Sequence, residues 1–140
     1  MNKSERLKNA NAHIPPCLQV LHGKLLDFDA SEGTAEMQFD VSEQFCHSIN
    51  VVQGGNVTVM LDAAMSHALF MQQADVAALP TLELKVSFLE PTLAGRITAK
   101  GRVIKCGKSI AFLEGTLINT AGQLAAVATA TAKVVRRKQD

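Results

Sequence analysis

The sequence predicts an α+β chain, a single domain in which an antiparallel sheet wraps one long central helix. Two observations predict it. A segment from about Asn56 to Gln73 is apolar on nearly all sides (Val57, Val59, Met60, Leu61, Ala63, Ala64, Met65, Ala68, Leu69, Phe70, Met71), so it should be buried on most of its circumference. Around it stand a strand pair before and four strand candidates after, with no strand–helix alternation that would imply parallel crossovers.

Taken in order, the first dozen residues are polar and read as a flexible segment, 1–14, ahead of a domain spanning 15–136. Pro15-Pro16 opens a short helix or turn through Cys17-Leu18-Gln19-Val20-Leu21. Lys24 to Asp29 and Thr34 to Val41 read as a hairpin: Met37, Phe39 and Val41 alternate with Glu36, Gln38 and Asp40, and Ser31-Glu32-Gly33 supplies the turn. Phe45 to Gln53 has no clean period and leads into Gly54-Gly55 and the helix.

After the helix, Thr81 to Leu89 sets Leu82, Leu84, Val86 and Phe88 against Glu83, Lys85 and Ser87, and Glu90-Pro91 ends it. Arg96 to Ile104 is a further alternating run, and Gly107-Lys108 turns into Ser109 to Asn119. Ala121-Gly122 turns the chain into a last run, Leu124 to Val135, rich in Ala, Val and Thr; Arg136-Arg137-Lys138 reads as solvated, with 137–140 a tail.

At 140 residues, 47% hydrophobic and 19% charged, the chain suits one globular domain. Fourteen basic and 13 acidic residues are mixed along it, which leaves no electrostatic footprint for nucleic acid or an anionic membrane. The polar start lacks a signal-peptide pattern, and the apolar stretch Val57 to Met71 is too short to span a bilayer; a cytoplasmic location is the expectation. Cys17, Cys46 and Cys106 fit neither a disulfide framework nor a zinc site and read as packing residues. His47 follows Cys46, but strand neighbours point to opposite faces, so the two are no nucleophile–base pair. No clustered ligands suggest a metal.

Two features carry chemistry. Asp62 is the one carboxylate inside the apolar helix, a costly placement unless it is paired or faces a water-filled site; Ser66 lies one turn on. Gln53-Gly54-Gly55 stands at the helix entry, where free N–H groups and the positive helix end suit a developing oxyanion. Eight residues separate Gly54 from Asp62. That is about 12 Å along a helix, too far for both to serve one carbonyl carbon from the same chain. If both act on one substrate, they come from two subunits.

The stretch His47-Ser48-Ile49-Asn50-Val51-Val52-Gln53-Gly54-Gly55-Asn56-Val57-Thr58-Val59-Met60-Leu61-Asp62 resembles the signature of hotdog-fold acyl-CoA thioesterases of the phenylacetate-pathway and 4-hydroxybenzoyl-CoA type. There a His-Gly-Gly opens the central helix, and Asp or Glu follows eight residues after the first glycine. The resemblance implies hydrolysis of an acyl-CoA, with Gly54 N–H polarising the thioester carbonyl and Asp62 of the facing subunit acting as nucleophile or general base. It implies a homodimer joined sheet edge to sheet edge, commonly paired again into a homotetramer, and no cofactor, coenzyme A being part of the substrate. Gln53 departs from the usual His. His47 falls where relatives carry Asn or Gln near the thioester, and Ser66 and Thr81 align with hydroxyl or polar residues that orient the attacking water. Gln53, Gly55, Leu61 and Met65, with Phe88 and Leu89, are the expected substrate-side residues.

His67 lies on a different helical face from Asp62 and reads as structural, and His13 and His22 have no partner spacing. Arg96, Lys100, Arg102, Lys105 and Lys108 fit a solvated strand face at least as well as a set of coenzyme A phosphate ligands. Two other functions remain open on this scaffold, a non-catalytic acyl-CoA sensing module and an acyl-thioester hydratase or dehydratase. The second lacks its Pro-Gly-rich helix entry here.

Overall fold

The central helix, α3, runs Gly54–Gln72 in the computed structural model, which describes residues 1–138. It begins two residues before the expected start, because both glycines lie inside the first turn rather than ahead of it. First-turn N–H groups have no intrahelical partner, so glycine is tolerated there. Gln53 is the N-cap in extended backbone, with no side-chain capping bond, and its carbonyl accepts from Asn56 and Val57 N–H at 2.9 and 3.3 Å.

Before α3 come α1 (Lys3–Ala12), α2 (Pro16–Gln19), β1 (Lys24–Asp29), β2 (Thr34–Val41), a single 3-10 turn (Glu43–Phe45), and the short strands β3 (Cys46–Ser48) and β4 (Val51–Val52). After it come β5 (Val76–Ala78), β6 (Thr81–Phe88), β7 (Gly95–Cys106), β8 (Ile110–Ile118), β9 (Leu124–Lys133) and β10 (Val135–Arg136). Six strands form one antiparallel sheet in the order β1-β2-β7-β8-β9-β6, so β1 and β6 are its edges.

Helix α3 crosses the middle of this sheet, where two glycines make room for it. A Cβ on Gly101 would run into the Ala64 carbonyl and stand 2.6 Å from Met65 Cα; one on Gly115 would stand 3.0 Å from Met65 Cγ. Val57, Met60, Leu61, Ala64, Met65, Ala68 and Leu69 bury this face against Met37, Phe39, Ile97, Ala99, Leu113 and Leu117 of the sheet. The helix is less enclosed than its composition predicts. Thr58 and Val59, then Asp62, Ser66 and Phe70 at successive turns, form a half-buried stripe that the sheet leaves uncovered.

The first fourteen residues differ from the flexible segment expected. Asn2 and Glu5 close a capping box on α1, and the helix is tied down at long range: the Arg6 guanidinium donates to Met71 O at 2.6 Å, and the Asn11 amide bonds both Leu25 O and Leu25 N–H. Arg6 thus satisfies one of the C-terminal carbonyls that α3 leaves open. The reading of Arg136-Arg137-Lys138 as solvated is corrected for Arg136, while Arg137 and Lys138 are exposed. Arg136 is half-buried and bonds Asp75, Gln73 and the Gly107 and Lys108 carbonyls, while Arg137 donates to Ala74 O; β10, paired with β5, continues the chain past β9. The last two residues of the expected tail lie outside the described residues. Cys17 is exposed rather than packed, whereas Cys46 and Cys106 are half-buried.

Candidate active site

Asp62 sits in the half-buried stripe of α3 and accepts a hydrogen bond from the Thr81 hydroxyl, Oγ1 to Oδ1 at 3.0 Å. Thr81 is exposed at the start of the edge strand β6. Ser66, one turn beyond Asp62 on the same stripe, is half-buried and has no hydrogen bond from its hydroxyl among the described residues.

At the entry of α3, the N–H groups of Gly54 and Gly55 have no partner among the described residues. Thr58 Oγ1 donates to the Gly54 carbonyl at 2.8 Å, fixing that peptide from behind. Gln53 N–H donates to Phe45 O at 2.9 Å, and the Asn56 amide reaches the same carbonyl at 3.4 Å, so the preceding loop is laced to the helix start. The Gln53 side chain folds over Gly55, whose added Cβ would meet Gln53 Oε1 at 2.7 Å. Two directed donors at the positive end of a 19-residue helix can hold a carbonyl oxygen and stabilise it as charge develops.

Strand β6 borders both features, with Thr81 against Asp62 at one end and the Phe88 ring against Gly54 at the other. Leu82 and Phe88 of this edge strand and Leu89 just beyond it are 58, 55 and 53% exposed, so apolar surface along this edge is only partly covered.

The remaining candidates divide. His47 is exposed on β3, in a depression with Glu43, Cys46, Ser48, Ile49 and Asn50 that includes neither Asp62 nor Gly54. Leu61 and Met65 are fully buried between the helix and the sheet, against Gly115, so neither side chain reaches open surface in the single chain. His67 Nδ1 lies 2.8 Å from Ala63 O, and its ring meets Phe70 edge-on. Burial pushes the His67 imidazole below its ordinary value of 6.5, against the opposing pull of that carbonyl. Arg96, Lys100 and Arg102 stand in cross-strand ion pairs with Asp40, Glu36 and Glu114.

A groove of about 600 Å³ lies on the opposite face of the sheet, lined by Glu36, Lys100, Arg102 and Glu114 among others; it contains neither Asp62 nor Gly54. Local sequence reading missed two features of the site. The Phe88–Gly54 contact joins residues far apart in the chain, and only the strand pairing exposes the irregularity that aims Thr81 at the helix.

Residues 49–126 match the family model of the Thioesterase superfamily. A phenylacetic acid degradation-related protein of Ralstonia eutropha JMP134, classed as a thioesterase, superposes with a TM-score of 0.84 at 30% identity, covering 95% of this chain and 100% of its own. The E. coli PaaI protein of the phenylacetic acid degradation operon shares the fold, with a TM-score of 0.81 at 22% identity over 95% of this chain and 94% of its own. In sequence, a Saccharolobus solfataricus protein classed as an esterase is 28% identical over 118 residues, 82% of this chain and 84% of the relative. With one helix packed on a six-stranded antiparallel sheet and a family match over more than half its length, the chain belongs to the Thioesterase superfamily and is a thioester hydrolase of the hotdog fold.

Proposed function

We propose that the chain hydrolyses small or medium acyl- or aryl-coenzyme A thioesters, in a site shared between two copies. The observation that carries this is the placement of Asp62 and the free Gly54 N–H on one face-exposed helix, eight residues apart. About 12 Å of helix separates them, so one chain's pair does not span one carbonyl. The apolar edge strand β6 supports a second copy. It carries Asp62's partner at one end and Gly54's neighbour at the other. Pairing β6 antiparallel with its own copy about a two-fold axis therefore runs the Thr81 end of one strand beside the Phe88 end of the other. A further pairing of dimers into tetramers rests on the family resemblance.

In this reading the thioester oxygen accepts from Gly54 N–H, which makes the carbonyl carbon electrophilic. The Asp62 carboxylate of the other subunit takes a proton from water as the water oxygen bonds that carbon. Charge on the tetrahedral oxygen is held by Gly54 N–H and the helix end. Collapse breaks the C–S bond, releasing the acid and the coenzyme A thiolate, which takes up the proton. A thiolate is a good leaving group near neutral pH, so the departing sulfur needs no strong acid. Direct attack by Asp62, through an anhydride that water then opens, uses the same two groups. Coenzyme A enters as part of the substrate, and no separate cofactor has a role.

The test is thiol release from a panel of acyl-CoAs by the wild type and Asp62→Asn. A loss of about 10²- to 10⁴-fold in kcat is expected in the variant. Unchanged release in Asp62→Asn would overturn the role of Asp62, and binding without turnover in the wild type would point to a sensing module.

A further inference from the structure

We propose that Thr81 is the positioning residue of Asp62, and that a β-bulge at Leu82 delivers it. The inference rests on the reading of Asp62 as the working carboxylate. In β6, Leu84, Val86 and Phe88 stand opposite Ala130, Ala128 and Ala126, which are buried on the α3 side of the sheet. Glu83, Lys85 and Ser87 stand opposite Thr131, Thr129 and Val127 on the other side. Strict alternation would send Thr81 outward with Glu83.

It does not go there, because the register shifts between Thr81 and Glu83. Thr81 pairs with Ala132, the next buried residue in the α3-side row. One extra residue, Leu82, reverses the parity and turns the Thr81 side chain toward the helix, as bulges do when they re-aim a side chain. The backbone beside Thr81 and its partner is pinned by Lys133 N–H donating to Pro80 O at 2.8 Å. The hydroxyl then meets Asp62 Oδ1 at 3.0 Å.

The terminal torsion of Asp is broad, so a half-buried carboxylate on an open stripe samples many orientations unless something holds it. Thr81 holds Oδ1. Oδ2 has no partner among the described residues and is left for water or substrate. The role differs from orienting the attacking water, since the hydroxyl's proton is spent on the carboxylate. Thr81 is exposed and adds little to the core, so its loss should reach turnover without unfolding the protein.

Thr81→Val keeps the branched shape and removes the donor. On acyl-CoA substrates its kcat should fall about tenfold with KM little changed, the size of one hydrogen bond lost from the transition state. Thr81→Ser should recover most of that loss, and Thr81→Val should add nothing in an Asp62→Asn background. Deleting Leu82, with folding checked by thermal melting, should mimic Thr81→Val by turning Thr81 outward. Crystal structures of wild type and Thr81→Val give a readout that needs no turnover: one Asp62 carboxylate orientation in the first, several in the second. A single, unmoved orientation in Thr81→Val, or an equal kcat loss in the Asp62→Asn background, overturns the proposal. A wild type that releases no thiol from any acyl-CoA would instead defeat the hydrolase reading, while the crystallographic comparison still decides the role of Thr81.

Discussion

The Phe88 ring occupies the space a Cβ on Gly54 would need, its Cζ 3.2 Å and Cε1 3.4 Å from that position. Gly54 carries no positive φ, so what a side chain would meet there is the Phe88 ring rather than a backbone restriction. A methyl group there must push the ring or shift the first turn, and with it the free N–H.

Gly54→Ala should therefore lower kcat/KM on acyl-CoAs by at most on the order of 10²-fold, the cost of losing a whole oxyanion donor, because the N–H is kept but moved out of place. Because the obstacle is one side chain, Gly54→Ala/Phe88→Leu should regain most of the loss. Steady-state kinetics of the two variants decide it; no recovery in the double variant would mean that the alanine fails for a reason other than contact with Phe88.

Gly101 sets how closely α3 lies on the sheet. Gly101→Ala drives a methyl into the Ala64 carbonyl, backbone that cannot turn aside as a side chain would. Overpacking of this kind costs roughly 1–3 kcal/mol. Urea denaturation should show a lower midpoint at unchanged slope. The same substitution at Gly122, which has open space but φ +79, should cost less than at Gly101, and through backbone strain alone.

His67 gives the fold an acid-side liability. Burial lowers its folded-state value below 6.5, so the unfolded chain binds more protons in the window between the folded value and 6.5. Stability then rises with pH across that window and is lost as pH falls through it. His67→Gln removes the titration. The fall in urea midpoint between pH 7.5 and 5 should be smaller in the variant than in the wild type, and equal falls would refute it.

Legibility in the sequence followed the range of the interaction. Both hairpin strands, β1 and β2, were readable to the residue, because alternation and the Ser31-Glu32-Gly33 turn are local signals. Helix α1 was readable in principle from its capping box, Asn2 with Glu5, yet its polar composition favoured disorder. What holds it, Arg6 on Met71 and Asn11 on Leu25, spans distances no local pattern reveals. Asp62 and Gly54 stood out through composition and spacing. Thr81's approach to Asp62 depends on a one-residue bulge that alternation alone places on the wrong face, and the cover of Leu61 and Met65 depends on Gly115 of a distant strand.

The shared site makes the sharpest prediction. Asp62→Asn homodimers lack the carboxylate, and in Gly54→Ala homodimers the oxyanion N–H is displaced by the methyl's contact with Phe88, so each preparation alone should have low activity. Co-refolded in equal amounts, half of the dimers carry one subunit of each kind. In those, one of the two sites takes its Gly54 from the Asp62→Asn subunit and its Asp62 from the Gly54→Ala subunit, and is intact. The mixture should recover about a quarter of wild-type turnover, as two-fold symmetry requires of an interface contributing both halves of each site. If Asp62 and Gly54 served one substrate from within a single chain, every site would carry one lesion, and mixing would recover nothing. Thiol release from the mixture, with dimer formation checked by sedimentation, separates the two.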